Sequence, residues 1–194
     1  MSELVTWQSK MHEAMKLFVD QTVGLQDEVH TDETPLRFVR AMEEYTSGYR
    51  EDAAAALQKS FEDSCGQDEM VHIYNIPIAS MCAHHCAPII GRAHFAYIPK
   101  NRVLGLSKIP RFIDVLSRRL QIQEKLCTEI TGCFMQATGV TDCAVEIIAY
   151  HCCMMMRGVR THASTTVTSS LKGAFRINQM TRNEFFSRRQ ELTL

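Results

Sequence analysis

The chain has 194 residues, 45% of them hydrophobic and 22% charged, with a formal net charge of -1. That balance excludes a disordered chain and a generally basic nucleic-acid surface, and no window approaches the roughly 18 uninterrupted apolar residues of a membrane span. The N-terminal stretch MSELVTWQSKMHEAMKLF alternates charge with apolar residues and has no apolar signal core, so the expected location is cytoplasmic. Leu4, Trp7, Met11, Met15 and Phe18 recur at steps of three and four, which predicts a helix over residues 3–19. A polar connector follows over 23–31. Thr34 is placed as an N-cap with Pro35 at the first helical position, ahead of an apolar stripe of Leu36, Val39, Met42 and Tyr45. A third short helix is expected over 51–61, then a loop over 64–68. Strands are expected from Met70 to Ile78 and from Ala93 to Ile98, with Pro77, Pro88, Gly91 and Pro99 as punctuation. Helical spacing from Phe112 to Phe134 predicts one long helix or two stacked ones over 109–137. Val140 to Tyr150 reads as a strand, and Ala163 to Val167 with Gly173 to Ile177 as another with a turn. The organisation is a helical region over 1–66 followed by an α+β domain over 67–194.

Eight cysteines in a reducing compartment point to thiol or metal chemistry rather than a disulfide framework. Cys65, Cys127, Cys133 and Cys143 lie in no ligand-like spacing and read as structural. Two segments differ. MCAHHCAP carries Cys82, His84, His85 and Cys86, and YHCCMMMRGV carries His151, Cys152 and Cys153. Thiolate and imidazole are the usual donors to zinc, and a catalytic site needs three protein ligands with one position open. Cys82 and His85, three apart, can converge from one turn while the third ligand comes from a distant strand end. Cys86 and Cys152 are alternatives to their neighbours, and spacing does not decide between them. The isolated His12, His30, His72, His94 and His162 read as surface or hydrogen-bonded structural residues, and Met154 to Met156 as packing. From Arg92 to Arg119 the charges are Arg92, Lys100, Arg102, Lys108, Arg111, Arg118 and Arg119 against Asp114, a place to hold a polyphosphate.

The motifs ETPLR (33–37), SMCAHH (80–85), AYIPKNRVLGLSKIPR (96–111), RRLQIQEKL (118–126), HCCMMMRGV (151–159) and TVTSSLKGAFR (166–176) occur in this order. In them the chain resembles GTP cyclohydrolase I from about Glu33 to Arg188. The resemblance implies the tunnelling fold, ββααββ behind an N-terminal helical extension, assembled into a ring-shaped homo-oligomer, commonly a decamer. It implies GTP as substrate, dihydroneopterin triphosphate and formate as products, and Zn2+ as cofactor, with no nucleic-acid or membrane partner. Zinc would be held by Cys82, His85 and Cys153, with His84 and His151 as the catalytic imidazoles. Lys108, Arg111, Arg157 and, from a neighbouring subunit, Arg37 would hold the triphosphate. Gln123 and Glu124 would hold the guanine edge, and Ser107 would sit near the ribose.

The chemistry agrees with this resemblance. Opening an imidazole ring needs an activated water at C8 and a proton for the ring nitrogen, and a group with a pKa near 6.5 suits the second requirement. The adjacent N–H donors of guanine call for a carboxylate such as that of Glu124. One position departs from the family's Cys-Glu-His-His: Ala83 stands where the glutamate is usual. The competing reading, a non-catalytic relative that binds GTP or a pterin, rests on that residue alone. Cys86, where the family has a larger apolar residue, is the second departure.

Overall fold

The computed structural model describes residues 6–22, 33–58, 60–62, 66, 68–100 and 102–187. Leu4, the connector over 23–31, His30 and Cys65 lie outside the described residues. The chain divides into two compact units, Met1–Thr46 and Ser47–Leu194. The first contains helices α1 (Thr6–Thr22) and α2 (Thr34–Tyr45), which pack on each other. Val19 and Val39 are buried, and the amide of Gln8 donates to Glu43. Glu33, already in αR conformation, is the residue before α2, so the helix begins one position earlier than Thr34 as a cap would place it.

The second unit is built on a five-stranded mixed sheet in the order β5-β2-β3-β6-β7: Leu120–Gln121, Val71–Cys82, Pro88–Tyr97, Cys143–His151 and Thr166–Leu171. The pairs β2–β3, β3–β6 and β6–β7 are antiparallel, and β5 runs parallel to β2. Helices α3 (Lys108–Ser117) and α4 (Gln123–Thr138) cover one face. The alternation of the strands decides what they cover: Ile76, Ile78, Ala93, Phe95, Tyr97, Val145 and Ile147 turn inward, against Ile109, Phe112, Ile113, Leu126, Ile130 and Phe134. Phe134 is the hub, its ring 4.8 Å from Phe95 and 5.5 Å from Tyr97. Each of the Val, Leu, Ile and Phe side chains contributes roughly 1.5–3 kcal/mol by leaving water. The Tyr97 hydroxyl accepts from the Leu104 amide at 3.0 Å, tying in the small sheet of β1 (Ser60–Glu62) and β4 (Arg102–Leu104). At Gly91 the strands approach so closely that a Cβ would lie 2.1 Å from the Ile148 carbonyl oxygen.

Several expectations are corrected. The third helix over 51–61 is instead one 3-10 turn, Ala54–Leu57, preceded by another at Ser47–Tyr49, and Phe61 falls in β1. Asp52 accepts from the Ala54 amide, and pairing with β4 takes the residues beyond. Of the two readings of 109–137 the two-helix one holds, with the break where Arg118 leaves the helical region and Leu120–Gln121 pair with Met81–Cys82. Gly173–Ile177 is not a strand. Gly173 has φ 55°, Asp142 accepts from the Ala174 amide at 2.7 Å, and the turn α6 (Ala174–Ile177) leads into α7 (Gln179–Ser187). That last helix carries no clear apolar period, and it stays on through Phe185, which packs with Phe175, Ala96 and Ala144.

Candidate active site

The strand β2 runs four residues further than its β-favouring residues predict, and this extension places the site. Cys82 is its last residue, buried, and held from three sides: its amide donates to Ala87, the Ala83 amide donates to Gln121, and the Cys86 amide returns to the Cys82 carbonyl. The tight turn so formed puts Cys86 at φ 47° and lifts His84 and His85 over the end of the sheet. Nδ1 of His85 lies 3.7 Å from the Cys82 sulfur, and Nδ1 of His84 lies 4.0 Å from it. Two strands away, β6 ends at His151, paired with Ile89, and the single turn α5 (Cys152–Met155) begins there. That turn swings Cys153 back toward β2. The donor atoms of Cys82, His85 and Cys153 lie within 4.8 Å of one another. Cys86 and Cys152 are outside this group.

Two thiols and an imidazole at this separation are the donor set of a catalytic zinc site. Burial and the adjacent Cys82 thiol both push the Cys153 thiol up, while the nearby Arg157 opposes them. A cation between the sulfurs removes that penalty, so the residues fit a metal.

Beside the metal group lies a second constellation. Nε2 of His151 is 2.7 Å from Oε1 of Gln123, the first residue of α4. The Gln123 amide nitrogen is 3.0 Å from each of the Ile147 carbonyl, the Thr166 carbonyl and the Thr168 hydroxyl. Burial lowers the His151 pKa, and the charge of Glu124 partly offsets this. Glu124 itself is exposed at the start of α4.

The remaining expected residues are dispersed. Ser107, Lys108 and Arg111 occupy the start of α3, where the Ser107 side chain caps nothing, and Arg111 is exposed. Arg157 is exposed just beyond α5. Arg37 belongs to the first unit and pairs with Glu33 at 2.5 Å. Among the isolated histidines, His94 is buried with Nδ1 accepting from the Asn75 amide, and His72 stacks on Tyr74 and Phe185. The methionine run does not pack inward as expected: Met156 is 78% exposed and Met154 37%, because α5 is one turn projecting from the strand end. Thr166 and Thr168, which anchor Gln123, were not anticipated. Their signal was the alternation Thr166, Thr168, Ser170 on one face of β7, an unusual polar stripe facing a helix.

The model of the family described as GTP cyclohydrolase I matches residues 11–190. GTP cyclohydrolase 1 of Pelagibacter ubique is 46% identical over 153 residues, covering 79% of this chain and 76% of the relative. The enzyme of the same name from Alkalilimnicola ehrlichii is 48% identical, covering 79% and 82%, and that of Campylobacter jejuni 46% identical, covering 79% and 80%. The chain belongs to the GTP cyclohydrolase I family. It is thereby a hydrolase, and its Cys-His-Cys group agrees with the zinc dependence of GTP cyclohydrolase I. Among the described residues, no helix is long and apolar enough to cross a membrane.

Proposed function

We propose that this chain is a zinc-dependent cytoplasmic enzyme that converts GTP and water to 7,8-dihydroneopterin triphosphate and formate. The observation that carries this reading is the convergence of Cys82, His85 and Cys153 beside the His151–Gln123 pair. Zinc bound by those three residues supplies Lewis acidity and water made acidic enough to attack near neutral pH.

The chain's own residues do the rest. His84 and His151 flank the metal group and exchange protons with the imidazole ring of the purine as the C8–N bonds break. Burial favours the neutral form of His151, which can take a proton, and Glu124 limits that effect. Glu124 accepts from N1–H and the exocyclic amine of guanine, an edge adenine does not present, so the loss of those bonds rejects ATP. Lys108 and Arg111, three apart at the start of α3, and Arg157 beyond α5 neutralise the triphosphate, and Ser107 faces the ribose. The element order β2-β3-α3-α4-β6-β7 supports the tunnelling fold, and homology supports a homo-oligomer, here a ring of the decameric type. In that assembly Arg37 exchanges Glu33 for a phosphate of the neighbouring site.

The test is GTP turnover on purified, metal-analysed protein, following formate and oxidised neopterin together. Both products, lost on chelation and restored by zinc, are expected. Tight GTP binding to zinc-loaded protein with neither product would overturn the assignment in favour of a non-catalytic relative.

A further inference from the structure

Gln123 is 2% exposed, and its side-chain amide is inserted between β6 and β7 rather than into an open cleft. The two ends of an amide differ chemically, and here only one orientation satisfies the surroundings. The backbone carbonyls of Ile147 and Thr166 are acceptors only, so the NH2 group must face them, each at 3.0 Å. Turned over, the amide oxygen would oppose two carbonyl oxygens, acceptor against acceptor, and both bonds would be lost. The Thr168 hydroxyl, also at 3.0 Å, tolerates either end and does not decide the matter. Oε1 therefore faces His151 at 2.7 Å, and an oxygen of this kind accepts only. Nε2 of His151 must carry the hydrogen. In the neutral ring the lone pair is then on Nδ1.

We propose that Gln123 is a positioning residue for His151: it fixes the neutral imidazole as the Nε2–H tautomer, so that Nδ1 is the atom that exchanges a proton with the nucleotide. This rests on the acid–base role of His151 proposed above, and it reassigns Gln123 from the guanine edge. The guanine edge offers N–H donors, whereas the Gln123 oxygen is buried against His151 and its nitrogen is turned to the strands. Recognition of that edge is left to Glu124. The logic is that of a catalytic histidine oriented through its far nitrogen, with a neutral amide in place of a carboxylate.

Two measurements test it. In zinc-loaded, 15N-histidine-labelled protein at roughly pH 8, where an ordinary histidine is neutral, the resonances absent from His151→Asn should show Nε2 protonated and Nδ1 bare. An Nδ1–H tautomer in the unmodified chain would overturn the proposal, whether or not that chain turns over GTP. For Gln123→Leu, kcat should fall, by up to the roughly 10^4-fold seen when a catalytic histidine is left in the wrong tautomer. Zinc content and the Kd for GTP should stay at the unmodified values. Weaker GTP binding with kcat unchanged would return Gln123 to the purine. If Gln123→Leu does not fold, the tautomer reading on the unmodified chain decides. Absence of GTP turnover by the unmodified protein would sink the proposed function while leaving the tautomer measurable.

Discussion

The sulfur atoms of Cys82 and Cys153 lie within 4.8 Å of each other, although one ends β2 and the other sits in the turn after β6. The strand β3 lies between those two strands, and it is short at this end, starting at Pro88. The Cys82–Ala87 turn and the α5 turn reach over it from either side. The metal group is thus a product of where three strands stop.

Loss of any one of Cys82, His85 or Cys153 should strip the metal. Alanine at each position is expected to leave well under one zinc per chain after dialysis, a larger loss than the roughly 10–100-fold that removing an outer hydrogen-bond partner causes. Metal analysis with circular dichroism on the same samples checks it. Full zinc retention by Cys153→Ala would transfer the third ligand position to Cys152.

Glu124 offers a cleaner separation of binding from folding. It is exposed, so Glu124→Gln should change stability by no more than about 0.5 kcal/mol. Replacing a charged acceptor by an amide should weaken GTP about 10- to 100-fold, the worth of one or two hydrogen bonds to an ionised group. Calorimetric titration with GTP and ATP reads it. Unchanged GTP affinity would remove Glu124 from the guanine site.

Much of this site was legible in the chain itself, because zinc donors are few in kind and Cys82, His85 and Cys153 sit in two short, conspicuous segments. What spacing left open was the choice between Cys152 and Cys153, since adjacent residues at a strand end differ only in how the following turn is wound. Gln123 was legible as a site residue, but what it holds was not. The carbonyls that orient it belong to Ile147 and Thr166, and backbone acceptors have no sequence signature. The same limit applies to the fold. Apolar periodicity found β2, β3, β6 and both covering helices, because one buried face demands it. It missed α7 and also α6, whose start depends on the Asp142 carboxylate capping Ala174 from the neighbouring strand end.

Ala83 is exposed between Cys82 and His84, and its side chain holds nothing in place; only its amide is used, on the Gln121 carbonyl. Ala83→Glu should therefore fold as well as the unmodified chain. A carboxylate beside the two imidazoles is expected to raise zinc affinity or kcat, by up to the roughly 10–100-fold typical of such partners. A zinc competition titration and a kcat measurement distinguish the two effects. No change in either would show that this chain has compensated for the glutamate elsewhere.

The buried thiols make a prediction about alkaline pH. Burial pushes Cys127 up to about 11 and Cys143 to about 12 from an ordinary 9.0. The folded state therefore holds these protons more tightly than the unfolded chain does. The stability they contribute is complete below about pH 9 and falls as the pH rises toward 11 and 12. At pH 8 an alkylating reagent should modify exposed Cys86 and leave Cys127 and Cys143 untouched until denaturant is added, as peptide mass mapping would show. Cys143→Ala lacks one of these protons, so its stability deficit relative to the unmodified chain, measured by urea unfolding, should narrow between pH 8 and pH 10.5, roughly the span over which an unfolded thiol ionises. A constant deficit across that range would mean the Cys143 thiol ionises as easily in the folded chain as in the unfolded one.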